Sequence, residues 1–303
     1  MTRIAYFDCF SGASGDMLLG ALIDAGAPLG VLQEELAKLP VSGYELSAER
    51  VVRQGISGTQ FIVHDLAQEQ PVRNIALIRA LLHDADLPTG VAASSLGVFE
   101  RIAAAEAQVH GTTVDEIHFH EVGAVDSLVD IVGFYVALEH LGVEAVYSSG
   151  LPLGSGTVRT AHGLLPVPAP ATLALLAETG APIVPFDARA ELVTPTGAAL
   201  LTSAAAFEQP RMRVQAVGYG FGQKTFAWPN LLRVWIGELD AAPQRRAHAH
   251  PHEHAHSHAD SAAAHVHAHA HAHAHPHEHA HVEVHAHGPD EHVHQHEDHE
   301  HTH

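Results

Sequence analysis

The sequence predicts an α/β protein in which a mixed sheet is covered by helices, followed by a disordered histidine-rich C-terminal tail. Three observations lead to that class. Strand-like and helical patterns alternate along the first 240 residues. Hairpin-like strand pairs stand at both ends of that stretch, so antiparallel pairing is expected alongside parallel pairing. Composition then changes abruptly: 23 of the 30 histidines lie from His248 onward, among Ala, Glu, Asp and Pro. Such a segment has almost no large apolar side chain to offset the entropy of ordering its backbone. A globular part over 1–240 and a disordered metal-binding tail over 241–303 are therefore expected.

The elements follow in order. Ile4 to Phe7 reads as a short buried strand, the small-residue loop Ser11 to Asp16 follows, and an amphipathic helix runs from Met17 to Ala25. A second helix covers Leu29 to Leu39. The alternation in Tyr44 to Val52 and Gln60 to His64 predicts two antiparallel strands joined through Gly55 and Gly58. Helices are expected over Arg73 to His83 and Val91 to His110, the second ended by Gly111. A short extended segment around His118 leads to a helix over Val125 to Leu141, stopped at Gly142, and a strand over Val143 to Ser148. Leu151 to Pro170 is dense in Gly and Pro and reads as a long ordered loop, a kind usually tied to function. Pro170 opens a helix over Ala171 to Thr179. A short strand at Ile183 and Val184, a helix over Gly197 to Phe207, and strands over Arg211 to Val217 and Leu231 to Glu238 complete the body.

Composition excludes several classes of function. The formal net charge of −20 argues against nucleic-acid binding, because phosphate contacts need a basic face. No apolar run reaches the roughly 18 residues that a membrane span needs, and no secretory segment precedes Asp8. The single cysteine, Cys9, excludes an intrachain disulfide and reads as a small buried apolar residue. A cytoplasmic location is the expectation.

Chemistry concentrates in the tail and in three places of the body. The tail repeats His-x-His through His265, His267, His269, His271, His273, His275, His277, His279 and His281. Neighbouring imidazoles on a flexible chain can close on one ion, and overlapping pairs give multivalent, exchangeable binding. Imidazole suits nickel, zinc, cobalt and copper alike, so the tail does not identify its metal. In the body, His118 and His120 lie two apart on an extended segment and share a side, with Glu121 adjacent. Asp126 and Asp130 lie one turn apart on the next helix. Together they make a nitrogen and oxygen set for a first-row metal, the alternative being helix capping for the first carboxylates and solvent exposure for Asp130. The loop with Ser11, Gly12, Ser14, Gly15 and Asp16 offers backbone N–H groups to a phosphate, with Asp8 and Asp16 flanking it as metal or hydroxyl ligands; a tight capped turn is the alternative. It lacks the Gly-Lys-Ser/Thr ending of a P-loop. Arg159 can pair with a phosphate, and His162 sits in the Gly/Pro-rich loop beside it. His64, His83, His110 and His140 stand at element ends without companions.

Five strings in order resemble one family: FDCFSGASGDMLLGALIDAG from Phe7, HFHEVGAVDSLVDIVG from His118, GSGTVRTAHGLLPVPAPAT from Gly154, ELVTPTGAAL from Glu191 and GYGFGQKTFAWPNLLRVWIGE from Gly218. They are similar to the LarC family, which inserts nickel into pyridinium-3,5-bisthiocarboxylic acid mononucleotide. The resemblance implies a nickel-inserting cyclometallase with Ni(II) and that mononucleotide as reactants. It also implies CTP with Mg or Mn, bound by a C-terminal domain that this sequence replaces with the histidine tail. That requirement falls to a separate CTP-binding subunit or a full-length frameshift product acting in trans, this chain then corresponding to the short product or to a truncated gene. Within such a reaction, residue chemistry assigns His118, His120 and Asp126 to the metal, Glu121 as base for the ring proton, and the Ser11 to Asp16 loop with Arg159 to phosphate. The competing expectation is a noncatalytic divalent-metal chaperone or store that presents the tail.

Overall fold

Ile4, Ala5, Tyr6 and Phe7 are all buried because β1 (Arg3–Asp8) runs inside a seven-stranded sheet and is enclosed on both faces. The computed structural model describes residues 1–67, 71–119 and 124–240. His120, Glu121 and the tail histidines named above lie outside the described residues.

After β1 come α1 (Gly15–Asp24), α2 (Leu29–Leu36), the hairpin β2 (Tyr44–Arg53) and β3 (Ile56–Asp65), then β4 (Arg73–Asn74), α3 (Ile75–Asp84) and α4 (Thr89–His110). β5 (His118–Phe119) precedes α5 (Val125–His140), which is followed by β6 (Ala145–Ser148), β7 (Leu151–Leu153), β8 (Thr157–Thr160) and β9 (Gly163–Pro166). The remainder is α6 (Pro170–Thr179), β10 (Ile183–Pro185), α7 (Pro195–Ala204), β11 (Ala205–Ala206), β12 (Met212–Phe221) and β13 (Leu231–Leu239).

The large sheet has the order β11-β6-β1-β13-β12-β3-β2. β1 pairs in parallel with β6 and antiparallel with β13, so the first and last strands of the body lie side by side at its centre. The pairs β2–β3 and β12–β13 are antiparallel, while β6–β11 and β3–β12 are parallel. The expected mixed sheet with hairpins at both ends is present.

Helix α1 lies directly on β3, β12 and β13. The string GYGFG allows this approach: a Cβ on Gly218 would strike the backbone of Ala21, and one on Gly220 the backbone of Met17. Helix α5 packs against α1, α2 and α4, and buries Leu128, Val129, Ile131, Val132 and Phe134; Phe134 meets Phe7 of β1 at 5.7 Å between ring centroids. Each such side chain removed from water contributes about 1.5–3 kcal/mol. An almost wholly apolar helix leaves its few polar positions conspicuous, and Asp126 and Asp130 are two of them.

Two expectations are corrected. The stretch Leu151 to Pro170 is not a loop without regular structure but carries β7, which pairs with β10, and the hairpin β8–β9. Four-residue strands separated by Gly and Pro close locally with only four partner pairs, too short for a periodic pattern to emerge. The helix expected over Gly197 to Phe207 starts earlier, at Pro195, and gives way to β11 at Ala205. Among the described residues, no helix is long and apolar enough to cross a membrane.

Candidate functional site

A cavity of about 510 Å³ opens among α1, α4, α5, α6, α7, β5 and the β8–β9 hairpin. Each wall follows from local sequence. Phe119 of β5 is buried against Phe99, with ring centroids 6.3 Å apart, and alternation along the strand leaves the adjacent His118 exposed at the cavity edge. β5 is held by antiparallel pairing with β4, where Asn74 lies opposite His118.

The loop before α1 is fixed by bonds to distant segments. Ser11 is buried; its hydroxyl donates to the Leu231 carbonyl at 2.9 Å and accepts from the Leu231 N–H at 2.9 Å. The Ala13 N–H donates to the Leu192 carbonyl at 2.9 Å, and the Thr194 N–H returns to the Ala13 carbonyl at 3.0 Å. Thr194 then caps α7 by accepting from the Gly197 N–H at 3.2 Å. The strings around Ser11 and Glu191 are therefore neighbours, and the N-termini of α1, α5, α6 and α7 all contribute to the cavity wall. α1 and α5 carry Asp16 and Asp126 in their first turns, where the helix dipole favours a carboxylate; α6 and α7 carry no acidic residue there.

Three carboxylates share the floor. Asp16 Oδ1 accepts from the Met17 N–H at 2.9 Å and from the Ser14 hydroxyl. Asp126 Oδ1 accepts from the Ser127 N–H at 2.7 Å. Asp130 Oδ1 is shut off from solvent and has no hydrogen-bond partner among the described residues. All three are raised above the ordinary carboxylate range, chiefly by desolvation, and Asp130 well above it, with the charges of Asp16 and Asp126 adding to the effect. Asp126 remains open to solvent on one side, so the shift that matters chemically is that of Asp130.

Across from the floor, Arg159 of β8 and His162 of the β8–β9 turn project from the hairpin. His162 meets His110, the last residue of α4, with ring centroids 4.7 Å apart. His110 is also 3.4 Å from Glu106. The sequence offered no companion for His110, since its neighbour comes from a hairpin 52 positions away that itself was not foreseen. Glu106, Glu191 and Gln223 are further lining residues that spacing did not single out.

The expected site residues thus divide. Ser14, Gly15, Asp16, His118, Asp126, Asp130, Arg159 and His162 line one cavity. Ser11 and Gly12 serve the loop itself, Gly12 at φ +124° against the Leu192 backbone. Asp8 is ion-paired with Arg233. Cys9 is buried beside Ser148, its Sγ 3.7 Å from the Ser148 hydroxyl, and burial pushes its thiol up to about 12. Among the described residues, no three His, Cys, Asp or Glu side chains converge on one metal position.

The sequence profile of the nickel insertion protein family matches residues 5–260. The chain belongs to this family. A protein of Roseiflexus castenholzii named for nickel insertion is 55% identical over 250 residues, covering 81% of this chain and 63% of that protein. One of Thermomicrobium roseum, similarly named, is 57% identical over 244 residues, 80% of this chain and 60% of the relative. The pyridinium-3,5-bisthiocarboxylic acid mononucleotide nickel insertion protein of Desulfitobacterium hafniense is 52% identical over 239 residues, 78% of this chain and 59% of the relative. The chain therefore spans about 60% of the length of these nickel insertion proteins. No solved structure matches it.

Proposed function

We propose that this chain supplies the nickel- and substrate-holding part of an insertion reaction. Ni(II) enters the pyridinium-3,5-bisthiocarboxylic acid mononucleotide that the Desulfitobacterium relative is named for. One observation carries the reading: in a nickel insertion protein, three imidazoles, five carboxylates and one guanidinium among the described residues line a single cavity large enough for a mononucleotide.

Ni(II) is held as cargo by His118 and Asp126, with His120 of the same segment completing the protein's share. Few protein ligands suit the task, because the ion must leave them for the substrate sulfurs. The mononucleotide phosphate lies between Arg159 and the N-terminus of α7, which has a favourable dipole and no acidic residue of its own. Insertion then forms two nickel–sulfur bonds and one nickel–carbon bond. The ring carbon keeps the C–H electron pair and gives its proton to a base, for which Glu121 is positioned in sequence next to the metal pair, so no oxidant or reductant is consumed. CTP with Mg or Mn falls to the part of the relatives that the match does not cover, acting as a separate subunit or within a full-length product.

The test supplies that part of a relative in trans, with CTP, Mg(II), Ni(II) and the bisthiocarboxylate mononucleotide, and follows the nickel-bound product by mass spectrometry. Product should form with the unaltered chain and fall at least tenfold with His118→Ala or Asp126→Asn. Equal product from all three chains would defeat the assignment. A store would deliver nickel without depending on either residue.

A further inference from the structure

The cavity holds more carboxylates than the nickel site uses. Among its described lining residues are five carboxylates, from Asp16, Glu106, Asp126, Asp130 and Glu191, against one guanidinium, Arg159. Among the described residues Asp16 accepts from neutral donors alone, Ser14, Met17 and Gln223. Among the described residues Asp130 Oδ1 receives none, though it is buried. A buried carboxylate oxygen without donor or cation is costly, and a bound ion or a proton relieves that cost. The backbone is shaped around this group as well: Asp130 occupies the space where a Cβ on Gly15 would stand, so its carboxylate reaches the start of α1 beside Asp16.

We propose that Asp16 and Asp130 form a second cation site on the cavity floor, with oxygen ligands only, for a hard divalent ion such as Mg(II) or Mn(II). Ligand chemistry separates it from the nickel position. Imidazole with a carboxylate at His118 and Asp126 suits a borderline metal, whereas two carboxylates beside the Ser14 hydroxyl suit a hard ion. Magnesium is commonly held by one or two carboxylates, several waters and a substrate phosphate, so two protein ligands suffice. The N-terminus of α7 adjoins that of α1 through Ala13, Ser14 and Gly197. An ion between Asp16 and Asp130 is then placed to take a phosphate oxygen of the mononucleotide, and it turns a floor that repels phosphate into one that binds it. This part rests on the reading of the cavity as the mononucleotide site; the ion site does not require nickel.

The experiment titrates Mn(II) into the metal-stripped full chain and reads the free ion by electron paramagnetic resonance. Three variants are run in parallel: Asp130→Asn, Asp16→Asn and His118→Ala. The tail is common to all and prefers softer metals. The expected result is one Mn(II) equivalent whose affinity falls at least tenfold in each Asp variant and is retained in His118→Ala. Both Asp variants are close in size to the original residue, and their melting curves in chelator confirm folding. Superimposed isotherms for the unaltered chain and both Asp variants would overturn the proposal and leave Asp16 and Asp130 as an acid pair sharing a proton. Loss of nickel insertion with unchanged Mn(II) binding would count against the proposed function and not against this site.

Discussion

The carboxylate of Asp130 fills the space that a side chain on Gly15 would occupy. The α1 N-terminus and the second turn of α5 are thereby locked together, with both residues on the cavity wall. Gly15→Ala forces Asp130 or the helix start to move. Overpacking of this kind typically costs about 1–3 kcal/mol, which in a body of this size lowers the melting temperature by several degrees. A calorimetric scan of that variant checks the contact, and an unchanged melting temperature would mean that the two elements slide apart freely.

Stability should also depend on pH through Asp130. Its folded-state pKa lies well above the unfolded carboxylate value of about 3.9. The protonated form therefore favours the fold, and its contribution is fully present below that unfolded value and lost as pH rises through the raised one. With divalent ions chelated, the melting temperature of the unaltered chain should fall relative to Asp130→Asn between pH 4 and neutrality. Asp16 shifts in the same direction and stays in both proteins. Parallel melting curves across that range would show that Asp130 ionises without penalty.

Arg159 is exposed on β8, so its loss should leave the fold intact while weakening phosphate binding. A charged hydrogen bond contributes about 1.5–3 kcal/mol, and Arg159→Ala should weaken mononucleotide affinity on the order of 10- to 100-fold. Isothermal titration with the mononucleotide measures it. An unaltered affinity would move the phosphate to another wall.

Much of this arrangement was legible before the structure. The hairpin β2–β3 follows from alternation over Tyr44 to Val52 and Gln60 to His64, although Gly58, expected in the turn, pairs with Val51 inside β3, and α4 ends at Gly111 with φ +66°, as its sequence indicates. Asp126 and Asp130 share a helix face because four residues make about one turn. What spacing does not carry is the approach of remote segments. His110 meets His162 only because a hairpin of four-residue strands folds back over the end of α4. The Ser11 hydroxyl, expected near a phosphate, is instead spent on Leu231, 220 positions away. Solvent exposure was one open reading for Asp130, and only the packing of α1 against α5 shuts its Oδ1 from water.

The tail should bind several Ni(II) or Zn(II) ions reversibly and release them as pH falls below about 6, because a protonated imidazole does not ligate. Titration calorimetry at two pH values reads this directly. Binding that does not change with pH would point away from imidazole.

The central claim is that the body holds nickel without the tail. Met1–Arg246 forms one compact unit, so the chain can be cut after Arg246 and its nickel counted by equilibrium dialysis with metal analysis. The account predicts about one Ni(II) per chain, lost in His118→Ala and in Asp126→Asn while the melting temperature stays within a few degrees. A truncated body that retains no nickel, or one that retains it equally in both variants, would contradict the account.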